Sequence, residues 1–181
     1  MTKLIKPLNS NKNNPNEIQG TIAAPASKSM MQRAIAAAVL AKTPTVITNA
    51  TYSNDSIGAL RVARALGAQV QEDGDTIHIS GGFNPTGEPL NVGESGLGIR
   101  MFTPIASLAN RKLTLTGEGS LLNRPVTMIE DPLNQLGITV TTTDGCPPLT
   151  VEGPLTGGTA SVDGSVSSQF LTGLLMALPA A

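Results

Sequence analysis

The sequence repeats itself at a spacing of about 70 residues, and this repeat restricts the possible folds more than any other feature. The run ALGAQVQEDGDTIHISGG, from Ala65, aligns with QLGITVTTTDGCPPLTVEGP, from Gln135. Each run contains Leu-Gly, a strand-like stretch, Asp-Gly as a turn and a second strand. The chain is therefore expected to fold as copies of one unit.

A second repeated segment lies upstream of each of these runs. It reads SKSMMQRAIAAAVLA from Ser27, SGLGIRMFTPIASLA from Ser95 and VSSQFLTGLLMALPA from Val166. Its long apolar bodies predict a helix in each copy. Arg33, Arg100 and Gln169 take equivalent places in the three helices. The sequence therefore predicts two nearly complete units and the start of a third.

The order of elements within a unit follows from the local patterns. A β-rich run, TPTVITNA or KLTLTGE, follows the first helix and alternates as a half-buried strand does. An amphipathic helix comes next, with Val126, Ile129, Leu133 and Leu136 on one stripe of the second copy. Two strands then flank an Asp-Gly hairpin turn. With QGTIAA as a strand before the first helix, the unit is βαβαββ and the fold class is α/β.

Composition excludes several functional classes. Twelve basic and thirteen acidic residues leave a net charge of -1, which argues against nucleic-acid or lipid surfaces as partners. Cys146 is the only cysteine, so no internal disulfide is possible. The polar N-terminus and the lack of an apolar run of about 20 residues predict a cytoplasmic protein without a membrane span. His78 is expected to face outward from a strand, and no metal site or cofactor is expected.

The polar residues of the three first helices are confined to their beginnings. The helix bodies are apolar on all sides, so they are expected to be buried, with only their N-termini meeting water. Unpaired N–H groups and the helix dipole make an N-terminus suitable for phosphate or carboxylate. The polar residues are Ser27, Lys28, Ser29, Gln32 and Arg33, then Ser95 and Arg100, and finally Ser165, Ser167, Ser168 and Gln169.

Two interpretations of these helix beginnings stay open. Serine at a helix start is most often only a cap. Lys28 and Arg33, however, oppose the helix dipole unless an anion offsets them. Arg33, Arg100 and Arg124 in similar polar settings favour a shared site for anions.

Four motifs together resemble the EPSP synthase (3-phosphoshikimate 1-carboxyvinyltransferase) family. They are PASKSMMQRA at Pro25, GESGLGIRMF at Gly93, NRPVTMIEDPLNQLG at Asn123 and GSVSSQFLTGLLMALP at Gly164. The resemblance implies an EPSP synthase-like inside-out α/β barrel domain of repeated βαβαββ units, truncated within its third unit at Ala181. It also implies that residues 1–20 form a strand belonging largely to another, missing domain, and that residues 21–181 are the first substrate-binding domain.

The resemblance implies transfer of the carboxyvinyl group of phosphoenolpyruvate to the 5-hydroxyl of shikimate 3-phosphate, in the pathway to aromatic amino acids. Lys28 and Arg124 are the expected catalytic residues. The expected substrate-binding residues are Lys28, Ser29, Arg33, Gly96, Arg124, Ser167, Ser168 and Gln169. No metal is implied, and the full-length enzyme is expected to be a monomer whose partners are its two substrates. Because the general base lies in the second half of the family's chain, this fragment alone is expected to be inactive.

One segment departs from the family pattern. Glu94-Ser95-Gly96-Leu97 stands where the family commonly has Asn-Ala-Gly-Thr. This change leaves contacts beside the phosphoenolpyruvate site, and the sensitivity to inhibitors, open. Arg100 is expected to order this loop.

Two rival functions stay open from the sequence alone. One is the sister carboxyvinyltransferase that acts on UDP-N-acetylglucosamine, which typically has Lys-Asn where this chain has Lys28-Ser29 and carries a reactive cysteine in a glycine-rich loop. Cys146 does not lie in such a loop. The other is a non-catalytic anion-binding repeat module.

Overall fold

The computed structural model describes residue 21 and residues 24–181. The strand expected in residues 1–20 lies outside the described residues, and so does most of the strand expected at QGTIAA. The described first unit contains one antiparallel sheet, in the order β1-β3-β2. Its elements are α1 (Lys28–Leu40), β1 (Thr45–Ile47), α2 (Asn54–Ala65), β2 (Gln69–Asp73) and β3 (Thr76–Ser80).

The second unit repeats this arrangement and has one more described strand, β4, at the place that QGTIAA takes in the first unit. Its sheet has the order β4-β5-β7-β6, in which β4 and β5 are parallel and the other pairs are antiparallel. Its elements are β4 (Leu90–Asn91), α3 (Gly96–Ala106), β5 (Lys112–Thr116), α4 (Glu130–Gln135), β6 (Thr139–Thr143) and β7 (Cys146–Glu152). Since β5-β7-β6 matches β1-β3-β2, the α/β class and the repeat are confirmed.

The amphipathic stripe of the second unit is confirmed, although it is only partly α-helical. A short 3₁₀ helix, Thr127–Ile129, precedes α4. The four apolar residues of the stripe are all buried, because both helical segments turn the same side to the core. On β3, His78 is exposed between two buried isoleucines, as expected.

The two hairpin turns differ in their position relative to Asp-Gly. Between β6 and β7, Asp144 and Gly145 form the two-residue loop, with φ values of 52° and 76°. Between β2 and β3, Asp73 is still paired with Thr76, so the loop is Gly74-Asp75. The predicted turn is wrong by one residue there, because the left-handed backbone falls on Gly74, with φ of 59°.

The first helices of the units pack on one another and form the centre of the fold. In α3, every residue from Leu97 to Ala106 except Arg100 is buried. The third such helix, α5 (Ser168–Ala177), crosses α3 closely at Gly173. A β-carbon built on Gly173 would lie only 2.4 Å from the carbonyl oxygen of Met101.

The expectation that all three helix bodies are buried is wrong for α1, where Met30 and Ala37 are exposed, and for one face of α5. Leu171 and Leu175 are 37% and 64% exposed. The residues at equivalent places in the two earlier helices are fully or almost fully buried: Ile35 and Val39 in α1, Phe102 and Ala106 in α3. The helix α1 packs against α2 and β3, and α3 packs against α5, α2 and β5, whereas the described residues leave this side of α5 open.

Within the described part of the chain, no helix combines the length and the apolar character needed to cross a bilayer.

Candidate functional site

Serine side chains cap the beginnings of all three central helices. Ser27 Oγ accepts a hydrogen bond from Met30 N at 3.3 Å, and Ser95 Oγ accepts one from Gly98 N at 2.9 Å. Ser167 Oγ accepts from Gln169 N at 3.2 Å. All three serines are therefore N-caps, and Ser167 uses one acceptor position for this bond.

Two hydrogen bonds connect the three helix beginnings. Ser95 Oγ, at the start of α3, donates to Gln32 Oε1 in the second turn of α1 at 2.6 Å. Arg100 Nη1, in the second turn of α3, donates to Gln169 Oε1 in the first turn of α5 at 3.3 Å. The three helices therefore begin at the same end of the fold.

Two guanidinium groups face Gly96 at the start of α3. A β-carbon built on Gly96 would lie 2.9 Å from Arg100 Nη1 and 3.5 Å from Arg124 Nη1. Burial lowers the pKa of Arg100, and the positive charge of Arg124 lowers it further. Two like charges at a helix N-terminus form a site that a bound anion would stabilise.

Arg100 also orders the surrounding loops, as expected from the sequence. Besides its bond to Gln169, it donates to the carbonyl oxygen of Gly96 at 3.0 Å and to that of Pro125 at 3.3 Å. These bonds tie the start of α3 to the segment that carries Arg124. Arg124 Nη2 in turn donates to Ser120 Oγ at 3.1 Å.

On α1, Lys28 and Arg33 have different surroundings, although the sequence alone gives no reason to distinguish them. Lys28 Nζ lies 2.9 Å from Asp55 Oδ2, so a carboxylate of α2 already offsets the unfavourable position of Lys28 near a helix N-terminus. The helix dipole by itself therefore does not call for a bound anion at Lys28. Among the residues that the structure describes, Arg33 Nη1 donates only to the carbonyl oxygen of Ser29, at 3.0 Å.

The cations of the site differ in whether a carboxylate lies close enough to pair with them. Within residues 24–181, no carboxylate oxygen lies within 4.0 Å of Arg33, Arg100 or Arg124. Over the same range, neither Ser167 nor Ser168 forms a hydrogen bond with an arginine side chain. Three guanidinium groups without carboxylate partners can bind phosphate or carboxylate through paired N–H donors.

Sequence reasoning missed three residues that shape the site: Gln32 as a partner of Ser95, Asp55 as a partner of Lys28, and Ser120 as a partner of Arg124. The first two contacts join different elements and depend on how the helices pack. No local motif signals such contacts.

The buried bond between Ser95 and Gln32 gives a stability prediction. Ser95→Ala removes both the cap of α3 and the partner of Gln32, which is 1% exposed. We expect a loss of about 1–3 kcal/mol in the free energy of unfolding, measured by urea denaturation. Ser27→Ala is the matched control, because Ser27 is an exposed cap and its loss costs about 1 kcal/mol or less. Equal losses in the two variants would contradict a structural bond between α1 and α3.

Comparison with known proteins gives consistent results. The family model for EPSP synthase (3-phosphoshikimate 1-carboxyvinyltransferase) matches residues 12–181. The chain is 41% identical over 167 residues to the 3-phosphoshikimate 1-carboxyvinyltransferase of Methanocorpusculum labreanum, covering 90% of this chain and 40% of that protein. It is 39% identical over 173 residues to the protein of the same name from Tolumonas auensis, covering 91% of this chain and 40% of that one.

Solved structures extend the likeness to the fold. EPSP synthase from Acinetobacter baumannii matches with a TM-score of 0.77 and 27% identity, covering 87% of this chain and 38% of that chain. The chain thus spans about two fifths of the length of the proteins it resembles.

Proposed function

Since this chain belongs to the EPSP synthase family, we propose that its helix beginnings bind the substrates of carboxyvinyl transfer from phosphoenolpyruvate to the 5-hydroxyl of shikimate 3-phosphate. The single observation that carries the proposal is the pair of guanidinium groups, Arg100 and Arg124, at the N-terminus of α3. Both substrates carry a phosphate and a carboxylate. A helix N-terminus beside arginines that have no carboxylate partner within the described residues suits such anionic groups.

The proposal divides the substrate contacts between two groups of residues. Lys28, Ser29, Arg33, Ser167 and Ser168 bind shikimate 3-phosphate. Gly96 N–H and Arg124 bind phosphoenolpyruvate, and Lys28 and Gln169 lie near both substrates. The beginnings of α1 and α3 lie close enough for this division, because Gln32 and Ser95 are hydrogen bonded.

Charge stabilisation is the chemical contribution proposed for this half of the site. The reaction runs by addition and then elimination through a tetrahedral intermediate, and it needs no metal. Lys28 and Arg124 are proposed to stabilise the negative charge that develops, because fixed cations need no reorganisation during the reaction. Residues 21–181 are proposed to act as one substrate-binding domain of a monomeric, cytoplasmic enzyme.

Titration calorimetry tests the proposed substrate. We expect shikimate 3-phosphate to bind the 181-residue chain at least tenfold more tightly than shikimate, because the phosphate supplies most of the charge-assisted bonds. The chain alone is expected to release no phosphate from a mixture of the two substrates. UDP-N-acetylglucosamine serves as the comparison ligand. Tighter binding of this nucleotide sugar would reject the proposal in favour of the sister transferase, and equal binding of all phosphorylated ligands would favour an anion-binding module.

A further inference from the structure

A chain of hydrogen bonds connects Glu94 to Arg124 through Ser120. Glu94 Oε2 accepts from the backbone N of Ser120 at 3.2 Å and from Ser120 Oγ at 3.1 Å. Ser120 Oγ accepts from Arg124 Nη2 at 3.1 Å. Glu94 itself precedes the Ser95 cap of α3, so these hydrogen bonds link the helix beginning to the short 3₁₀ helix Gly119–Asn123, which Arg124 follows directly.

The direction of each bond is fixed by the chemistry of the three groups. A guanidinium group can only donate, and an ionised carboxylate can only accept. The single hydroxyl proton of Ser120 therefore points to Glu94, and a lone pair of the same oxygen faces Arg124. Without the carboxylate, the hydroxyl would be free to rotate, and its position as an acceptor for Arg124 would be less well defined.

The backbone beside Ser120 leaves room for the carboxylate. Gly119 has a φ of 53°, and a β-carbon built on it would lie 2.6 Å from Glu94 Cδ. Any side chain at residue 119 would therefore displace Glu94 or the loop. The close approach of Glu94 thus depends on a glycine at this position.

We propose that Glu94 is a positioning residue that holds Arg124 beside Gly96 by acting through Ser120. The inference rests on the proposed function, in which Arg124 binds phosphoenolpyruvate. Glu94 acts by accepting hydrogen bonds, and its negative charge is not the feature that matters. A carboxylate that acted by charge would instead weaken the attraction of the site for anions.

Titration of phosphoenolpyruvate into the chain shows whether Glu94 acts by accepting hydrogen bonds or by its negative charge. We expect Glu94→Ala and Ser120→Ala each to weaken phosphoenolpyruvate binding about threefold to tenfold, the effect of losing an ordering hydrogen bond. Glu94→Gln should stay within about twofold of the parent chain, because an amide oxygen can accept the same two bonds. The double variant E94A/S120A should bind no worse than S120A, since both changes break one connected unit. Tighter binding in both Glu94 variants would overturn the proposal in favour of a charge effect.

Glu118→Gln is the matched control for removal of a carboxylate from the same region. Glu118 accepts from Arg61 at 3.0 Å and from Asn91 at 2.9 Å, and forms no bond with Ser120 or Arg124 within the described chain. We expect phosphoenolpyruvate binding to be unchanged in this variant. A loss equal to that of E94A would also overturn the proposal, because any lost carboxylate would then have the same effect.

A second measurement does not depend on substrate. The rotation rate of the Arg124 guanidinium group in the ligand-free chain, measured by NMR, should rise about threefold or more in E94A and S120A but not in E94Q. An unchanged rate in E94A would overturn the positioning role. If the parent chain bound no phosphoenolpyruvate, the proposed function would fail, whereas the rotation rates would still decide the role of Glu94.

Discussion

Replacing Gly173 with alanine is expected to lower the free energy of unfolding by about 1–3 kcal/mol or more. The added β-carbon would lie 2.4 Å from the carbonyl oxygen of Met101 and 2.9 Å from its Cα. Both are backbone atoms inside α3, so α5 would have to move away from α3 to make room. Alanine is favoured over glycine inside a helix by about 1 kcal/mol, and this preference offsets only part of the cost. Urea denaturation followed by circular dichroism measures the effect.

Gly164→Ala is the matched control for the Gly173 substitution. A β-carbon built on Gly164 would have no neighbour within 4 Å, and the residue lies in the exposed loop before α5. We expect a change of at most about 0.5 kcal/mol. If the two variants were equally stable, the close crossing of α3 and α5 at Met101 and Gly173 would be refuted.

The second large effect is expected from two arginine substitutions, each of which should weaken the binding of one substrate and not of the other. Arg124→Ala should weaken binding of phosphoenolpyruvate about 30-fold or more, the cost of removing one partner of a hydrogen-bonded charge pair. Arg33→Ala should do the same for shikimate 3-phosphate. Each variant should keep its affinity for the other substrate within about threefold, because Arg33 lies on α1 and Arg124 lies beside Gly96 on α3. Calorimetry at one fixed ionic strength measures both affinities.

Lys42→Ala controls for the loss of one positive charge. Lys42 is exposed and follows the C-terminal end of α1, opposite to the proposed site. We expect no change in either affinity beyond about twofold. Equal weakening of both ligands by Arg33→Ala and Arg124→Ala would mean that the arginines attract anions without distinguishing them, and the division of contacts would be wrong.

The fold could be predicted from the sequence because the same local patterns occur in each repeat, and these patterns determine the helices, strands and turns of a unit. Helix caps, strand alternation and the Asp144-Gly145 turn are set by residues close together in the chain. The Asp-Gly pattern misplaces the turn after β2, because Asp73 extends the strand pairing by one residue. That difference depends on pairing across the hairpin, which a dipeptide does not reveal.

The candidate site could be predicted only in part. The sequence indicated that polar residues gather at helix beginnings, and the structure brings Gly96, Arg100, Arg124 and Gln169 together. It did not indicate that Asp55 pairs with Lys28, because that contact depends on how α1 and α2 pack. The substrate-binding and catalytic roles of the individual residues stay predictions.

The open side of α5 affects how the chain can be handled in solution. Leu171, Leu175 and Leu178 form an exposed apolar strip, which is expected to attract other apolar surfaces as the protein is concentrated. Heat from such self-association would be superimposed on the heat of ligand binding in a calorimeter. Dilution blanks and light scattering at the working concentration are therefore part of any reliable affinity measurement on this chain.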